Sequence, residues 1–321
     1  MVRPKAEGSF ILFQPLVSPL SVREISILLL ICVIWGFHFV VIKTAVGVMP
    51  PIFYAAIRMV LVAAILSRFL TWRKGEMRFV LICGVCIGAL NYALMFTGMK
   101  FATASAAAIA IELNVPFSTM LAFLFLNDRP GLPRILGIAF AFAGVAVIAL
   151  GGDGGGGEHV GLGVGLVAAG AFSEAVGAVI VKRTTAFKPH ELLAWFSLVG
   201  AVILSGMTLV FEDGQLDALQ HSDKLFLVGA ILYSALGASL FGHTAYYWLL
   251  QRLPISVVAP SVLLTTVCAV FFGVLLMGDP FGVRMMVGGF MTLCGVGLVL
   301  LRNVKKQAKN DALVQPQGEG A

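Results

Sequence analysis

The chain has 321 residues, 59% of them hydrophobic and only 12% charged, with a net charge of +6. Soluble domains carry about 25% charged residues, so this composition excludes an ordinary soluble protein and indicates an integral membrane protein. The basic residues lie in short connectors rather than one patch, which argues against nucleic acid as a partner and makes the lipid bilayer the expected one.

Residues 1–24 contain an apolar run at 10–17 broken by Pro15 and Pro19, with no small-residue cleavage site after it. They read as a cytoplasmic lead-in rather than a signal peptide. Ten apolar spans follow, at roughly 25–45, 51–70, 78–98, 103–126, 132–150, 161–181, 190–211, 225–250, 254–278 and 281–301. Pro50-Pro51, Pro130, Pro133, Pro189, Pro254 and Pro280 stand at expected starts or breaks. The expected fold class is therefore all-α integral membrane, with ten transmembrane helices.

One set of connectors and ends holds most of the Lys and Arg; the other holds only Lys100, Lys224 and Arg284, while Lys43 and Arg58 fall inside spans. Cytoplasmic loops carry the basic excess, so both termini are expected on the cytoplasmic side of a cell (cytoplasmic or inner) membrane. Lys43, near the outer interface, is expected to snorkel. Arg58 lies deeper and needs a carbonyl or acidic partner, an anionic substrate group included.

Residues 151–157, GGDGGGG, lack the Gly-Lys-Ser/Thr ending of a phosphate loop and read as part of a flexible external linker over 151–160. The stretches on either side of it repeat. Lys43 and Pro50 recur as Lys182 and Pro189, and Ser105, Asp128, Gly137 and Gly144 recur as Ser256, Asp279, Gly288 and Gly295. Residues 25–150 and 161–302 are thus expected to be two five-helix repeats, with 303–321 a cytoplasmic tail. An odd number of spans inverts the second copy, and inverted repeats are a feature of secondary transporters that bind substrate near the midplane.

The fourth span carries Glu112 near its middle, roughly 13 Å from Thr103 at 1.5 Å per residue. A carboxylate at that depth costs several kcal/mol unless it faces a partner or a polar cavity. Pro116 lacks an N–H and clashes with the carbonyl of Glu112, so a kink is expected there. Ser105, Ala108, Glu112, Pro116 and Thr119 share one helical face. Asn114 lies about 200° round from Glu112, and only a kink aims both inward. Glu112 is expected to couple protons or bind a substrate amine. Glu174, about two turns from the cytoplasmic end of the sixth span, is a second acidic candidate. His38, His243, Trp35, Tyr92 and Tyr246 complete the expected substrate and proton site, each with packing as the alternative role. No pair has metal-ligand spacing on one helix, so neither metal nor cofactor is expected. The five cysteines lie inside apolar segments and read as buried thiols; Cys83 and Cys86 form a C-x-x-C without βαβ context.

The pattern resembles the drug/metabolite transporter superfamily, specifically its EamA-like branch. Trp35-Gly36-Phe37-His38-Phe39 through Lys43 resembles the family's opening W-G-x-x-F-x-x-x-K, and Pro50 with Arg58 its P…R second helix. Ala104-Ser105 and Pro116 resemble the A-S…P of its fourth, and Gly137 with Gly144 the glycine pair of its fifth. The stretch from Pro254 to Pro260 and the pair Gly288 and Gly295 resemble its closing helices. Asp128 replaces the family's Glu, Glu112 stands at a position expected to be polar or small, and Glu174 stands where an aromatic is common. The resemblance implies a non-ATP transporter of a small-molecule metabolite, an amino acid or related compound, exported by alternating access. A multidrug exporter is the alternative. A membrane-embedded enzyme using Glu112 and Glu174 is a remoter one, without an H-E-x-x-H or G-x-S-x-G motif behind it.

Overall fold

The computed structural model describes residues 21–126, 131–150, 159–184, 186–253, 255–258 and 260–314. The expectations placed on Asp128, Pro130, Pro254, the glycine-rich 151–158 and residues 1–20 lie outside these. All described regular elements are helical. Helix α1 is Val22–Val48, α2 Pro51–Leu66, α3 Met77–Phe101, α4 Ala104–Phe125 and α5 Leu132–Leu150. Helix α6 is Val160–Ile180, α7 Pro189–Phe211, α8 Lys224–Leu250, α9 Ser261–Met277 and α10 Val283–Val314.

Among the described residues, nine helices are long and apolar enough to cross a membrane, and α9 is a shorter apolar helix of 17 residues. The ninth span differs from expectation because Ile255–Val258 forms a separate short helix before Pro260 caps α9. Helix α1 begins three residues earlier than expected: Ser21 and Glu24 form a reciprocal capping box that satisfies its first N–H groups. The expected tail after 302 continues as helix to Val314. Large apolar side chains cover the periphery; Leu209, Val210 and Phe211 are among the most exposed. Such a surface is stable against acyl chains and not against water.

Helices pair across the two halves: α2 with α7, α5 with α10, and α4 with α9. Glycine sets the distance between α5 and α10. A Cβ on Gly137 would lie 2.8 Å from the Gly295 carbonyl, and one on Gly288 would lie 2.6 Å from the Gly144 carbonyl. The two contacts are reciprocal in sequence offset, and they let the backbones touch as small residues do in lipid.

The two ends of the bundle differ. One carries Arg23, Arg68, Arg73, Arg78, Lys182, Arg183 and Arg252 and three of the four tryptophans. There Arg73 pairs with Glu191 at 2.9 Å, and the Arg252 guanidinium lies 4.1 Å from the Trp248 ring centre. At the opposite end, Glu212 accepts the Ile52 and Phe53 N–H groups at 2.8 Å each, capping the N-terminus of α2. Lys43, expected to snorkel, instead donates to the Met99 and Lys100 carbonyls at 2.8 and 3.3 Å. These are the carbonyls that the end of α3 leaves unpaired, and a helix C-terminus attracts a cation.

Candidate functional site

The site begins with the break in α4. Its first segment, Ala104–Ile111, is separated from Asn114–Leu126 by a turn at Glu112 and Leu113. Pro116 cannot supply the N–H that the Glu112 carbonyl would accept. The Val115 N–H takes that carbonyl at 3.1 Å, and the Glu112 N–H reaches back to Ile109 at 3.3 Å. The distortion thus falls at Glu112, where the helix is expected to loosen, because that is the carbonyl Pro116 orphans. As a result Glu112 and Asn114 line the same cavity despite their opposed positions on a regular helix. Ser105 lines neither of the chambers that Glu112 borders: its N–H and Oγ donate to Asp279 Oδ2 at 2.8 and 2.6 Å. That carboxylate caps the N-terminus of α4 and ties it to the end of α9.

A central cavity of about 660 Å³ lies between the halves and reaches Val181, Phe187 and Pro189 at the basic end. Trp35, Tyr92, Glu112, Asn114, Glu174, His243 and Tyr246 all line it. A second chamber of about 220 Å³ shares Trp35, Tyr92, Glu112, Glu174 and His243 and adds Arg58, His38 and Thr266. Of the eight residues expected at the site, His38 alone faces only this second chamber.

The carboxylates have different partners. Glu112 is 4% exposed; one oxygen accepts a hydrogen bond from the Thr266 hydroxyl, and Oε2 has no partner. Glu174, half-buried, accepts from Asn91 Nδ2 at 3.2 Å and lines the cavity with Asn114. Asn91 is held for this by a second bond, to the Gly170 carbonyl at 3.0 Å.

The rings are anchored by backbone and hydroxyl groups. His243 Nδ1 meets the Ser239 carbonyl at 2.9 Å. A carbonyl only accepts, so Nδ1 carries the proton. Trp35 Nε1 donates to Ala238 O at 2.9 Å, and its ring stands 5.4 Å from His243 and 5.5 Å from Tyr246. His38 Nε2 is 3.0 Å from Ser234 Oγ, which lies 2.5 Å from the Tyr54 hydroxyl. His38 is thus fixed in a buried polar chain and borders the cavity from its far side.

Arg58 corrects another expectation. Its partners are neither carbonyl nor acid: Nη2 donates to Ser239 Oγ at 2.8 Å and to the Tyr92 hydroxyl at 3.3 Å. Its guanidinium stacks 4.5 Å from the Tyr92 ring centre. Thr266, Ser239 and Asn91, polar groups not expected from the sequence, join Arg58 here. An intramembrane arginine is itself a signal for a site; lone Ser, Thr and Asn in apolar helices give none.

The EamA-like transporter family profile matches the chain twice, over residues 22–150 and 161–301. A probable amino-acid metabolite efflux pump of Salmonella typhimurium is 28% identical over 276 residues, covering 84% of this chain and 91% of that protein. A protein of the same description from Escherichia coli is 27% identical over the same shares. A crystal structure of a protein aligns at TM-score 0.57 and 17% identity, covering 92% of this chain and 99% of the other, which shows a shared fold.

Proposed function

Because the chain belongs to the EamA-like transporter family, we propose that it exports a small amino-acid-like metabolite across the cytoplasmic membrane by alternating access. The observation that carries this reading is the central cavity. It holds two acidic side chains at mid-bundle, reaches the basic end, and lies beneath an opposite end tied by Asp279, Glu212 and Lys43. If the basic end is cytoplasmic, as the distribution of Lys and Arg supports, this is the inward-facing state. Residues 25–150 and 161–302 are the two inverted repeats that rock about the cavity. The π-helical stretches Gly84–Leu90 and Tyr233–Gly242, at matching places in α3 and α8, support that division. The two relatives named as amino-acid metabolite efflux pumps support the substrate class.

Glu112 is the proton-coupling group in this reading, since it joins the cavity to α9 through Thr266 and keeps one oxygen free. Glu112→Gln, reconstituted in proteoliposomes, is expected to lose accumulation driven by a pH gradient while exchange persists at saturating substrate. Driven accumulation equal to wild type would remove Glu112 from that role. Comparing metabolites released by cells with and without the protein tests the export reading itself.

A further inference from the structure

We infer that the inner chamber takes its substrate as a zwitterion, an α-amino acid with an apolar side chain, the carboxylate on Arg58 and the ammonium on Glu112. The inference rests on the transport reading above and assigns the substrate's polar ends to named groups.

Arg58 is 2% exposed, and its partners are two neutral hydroxyls and an aromatic face. Nη1 is buried and has no partner. Glu112 is 4% exposed, its one partner is the neutral Thr266 hydroxyl, and Oε2 is buried without a partner. Both side chains line the same 220 Å³ chamber. Among the described residues no ion pair within 4.0 Å joins Arg58 to an acid, whereas Arg73 pairs with Glu191 at 2.9 Å. Glu174 lines this chamber too, but Asn91 hydrogen-bonds it; Arg58 Nη1 and Glu112 Oε2 are the buried atoms of these three side chains left without a partner.

An uncompensated charge inside a membrane protein is costly, and breaking up a buried pair by removing one member is strongly destabilising. A ligand with a carboxylate and an ammonium on one carbon compensates both at once. A guanidinium binds a carboxylate through parallel N–H donors, and Nη1 is the donor left over. An ammonium donates in three directions and fits the free carboxylate oxygen, with Glu174 on the same wall. Tyr92 lines both chambers and lies 4.5 Å beneath the Arg58 guanidinium. The larger chamber continues past Ile87, Val262 and Phe196, an apolar wall suited to the amino acid's side chain. A cationic amine or a carboxylate alone would leave one of these two atoms, Arg58 Nη1 or Glu112 Oε2, without a partner.

The test is calorimetric titration of the purified full-length chain in detergent with L-phenylalanine, 2-phenylethylamine and 3-phenylpropanoate. These share the ring and differ in the charged groups. Phenylalanine is expected to bind about tenfold or more tighter than either half-molecule, the size of effect that one unmatched buried charge produces. Arg58→Gln should remove the advantage over phenylethylamine and leave that over phenylpropanoate. Glu112→Gln should do the reverse. Arg58→Lys, with melting temperature followed alongside, should retain discrimination and shows whether loss at this position is loss of folding. Equal binding of the three compounds by wild type would overturn the assignment, as would equal weakening of all three in Arg58→Gln. If wild type binds none of them yet still drives export of other metabolites in proteoliposomes, the zwitterion assignment falls and the transport reading stands. Absence of any driven transport would sink the transport reading instead.

Discussion

Helices α3 and α8 both cross the middle of the bundle on a π-helical stretch, yet the residues that follow the two stretches do different work. After Gly84–Leu90, the Asn91 N–H returns to the Cys86 carbonyl, and the same carbonyl accepts Ser173 Oγ at 2.9 Å. The Asn91 side chain is then directed to Glu174. Along Tyr233–Gly242, Ser239 Oγ takes the Ser234 carbonyl at 2.9 Å and His243 Nδ1 takes that of Ser239. There Gly242 leaves room for the Trp35 indole, which would otherwise collide with a Cβ. A π-helical stretch loosens backbone hydrogen bonding, and buried carbonyls must find other donors. The same deformation thus supplies a partner for a carboxylate on one side of the cavity and a seat for an aromatic wall on the other.

Substitutions at matching places test that contrast. The largest effect is expected from Gly242→Ala, because the new methyl meets Trp35 Nε1 and displaces its bond to Ala238. Overpacking of this kind costs about 1–3 kcal/mol, with about 1 kcal/mol more for the lost hydrogen bond. Thermal unfolding in detergent reads the loss, and a change in tryptophan fluorescence reports whether Trp35 moved. An unaltered melting point would mean that Trp35 repacks freely and that the wall is not seated by Gly242.

Next come the hydroxyls that serve the two stretches. Ser239→Ala removes the donor to Ser234 and the acceptor of Arg58 Nε and Nη2. Hydrogen bonds to charged groups are worth about 1.5–3 kcal/mol. Ser173→Ala removes only a neutral bond to Cys86, worth about 0.5–1.5 kcal/mol. Equal shifts in denaturation midpoint would erase the difference between the two stretches.

The smallest effect is expected from Tyr92→Phe, which removes a 3.3 Å contact to Arg58 and keeps the ring beneath the guanidinium. Arg58 Nη2 keeps its 2.8 Å bond to Ser239, so only the longer contact is lost and stability should change by about 0.5 kcal/mol, the low end for one hydrogen bond. His243→Phe at the matching place removes the ring N–H from the Ser239 carbonyl, which keeps the backbone N–H of residue 243, and should cost about 0.5–1.5 kcal/mol by the same unfolding measurement. The reverse order would place the greater structural load on the α3 side.

Much of the scaffold was legible in the residues because lipid imposes length and apolarity together. The boundaries that shifted have local causes: a capping box at Ser21 and a break before α9 at Pro260. The acidic centre was legible too, since Glu112 has no cheap place in an apolar helix. Thr266 and Ser239 were not. Serine and threonine in such helices commonly bond their own preceding turn, as Thr292 does to Gly288 at 2.8 Å, and sequence does not mark the ones that reach across. Arg58 was visible, but its neutral partners come from α3 and α8 and could not be read from α2 alone.

Taken by itself, the chain's order of residues determined that it lies in a membrane as apolar helices, that one helix breaks near a buried acid, and which residue types could form a site. Only the tertiary structure decided which carbonyls and hydroxyls hold each polar group, and that Arg58 and Glu112 line one chamber, each with a buried atom left without a partner. The physical reason is range. Hydrophobic length and proline act within a helix, whereas compensation of a buried charge depends on atoms that packing brings from helices far apart in the chain.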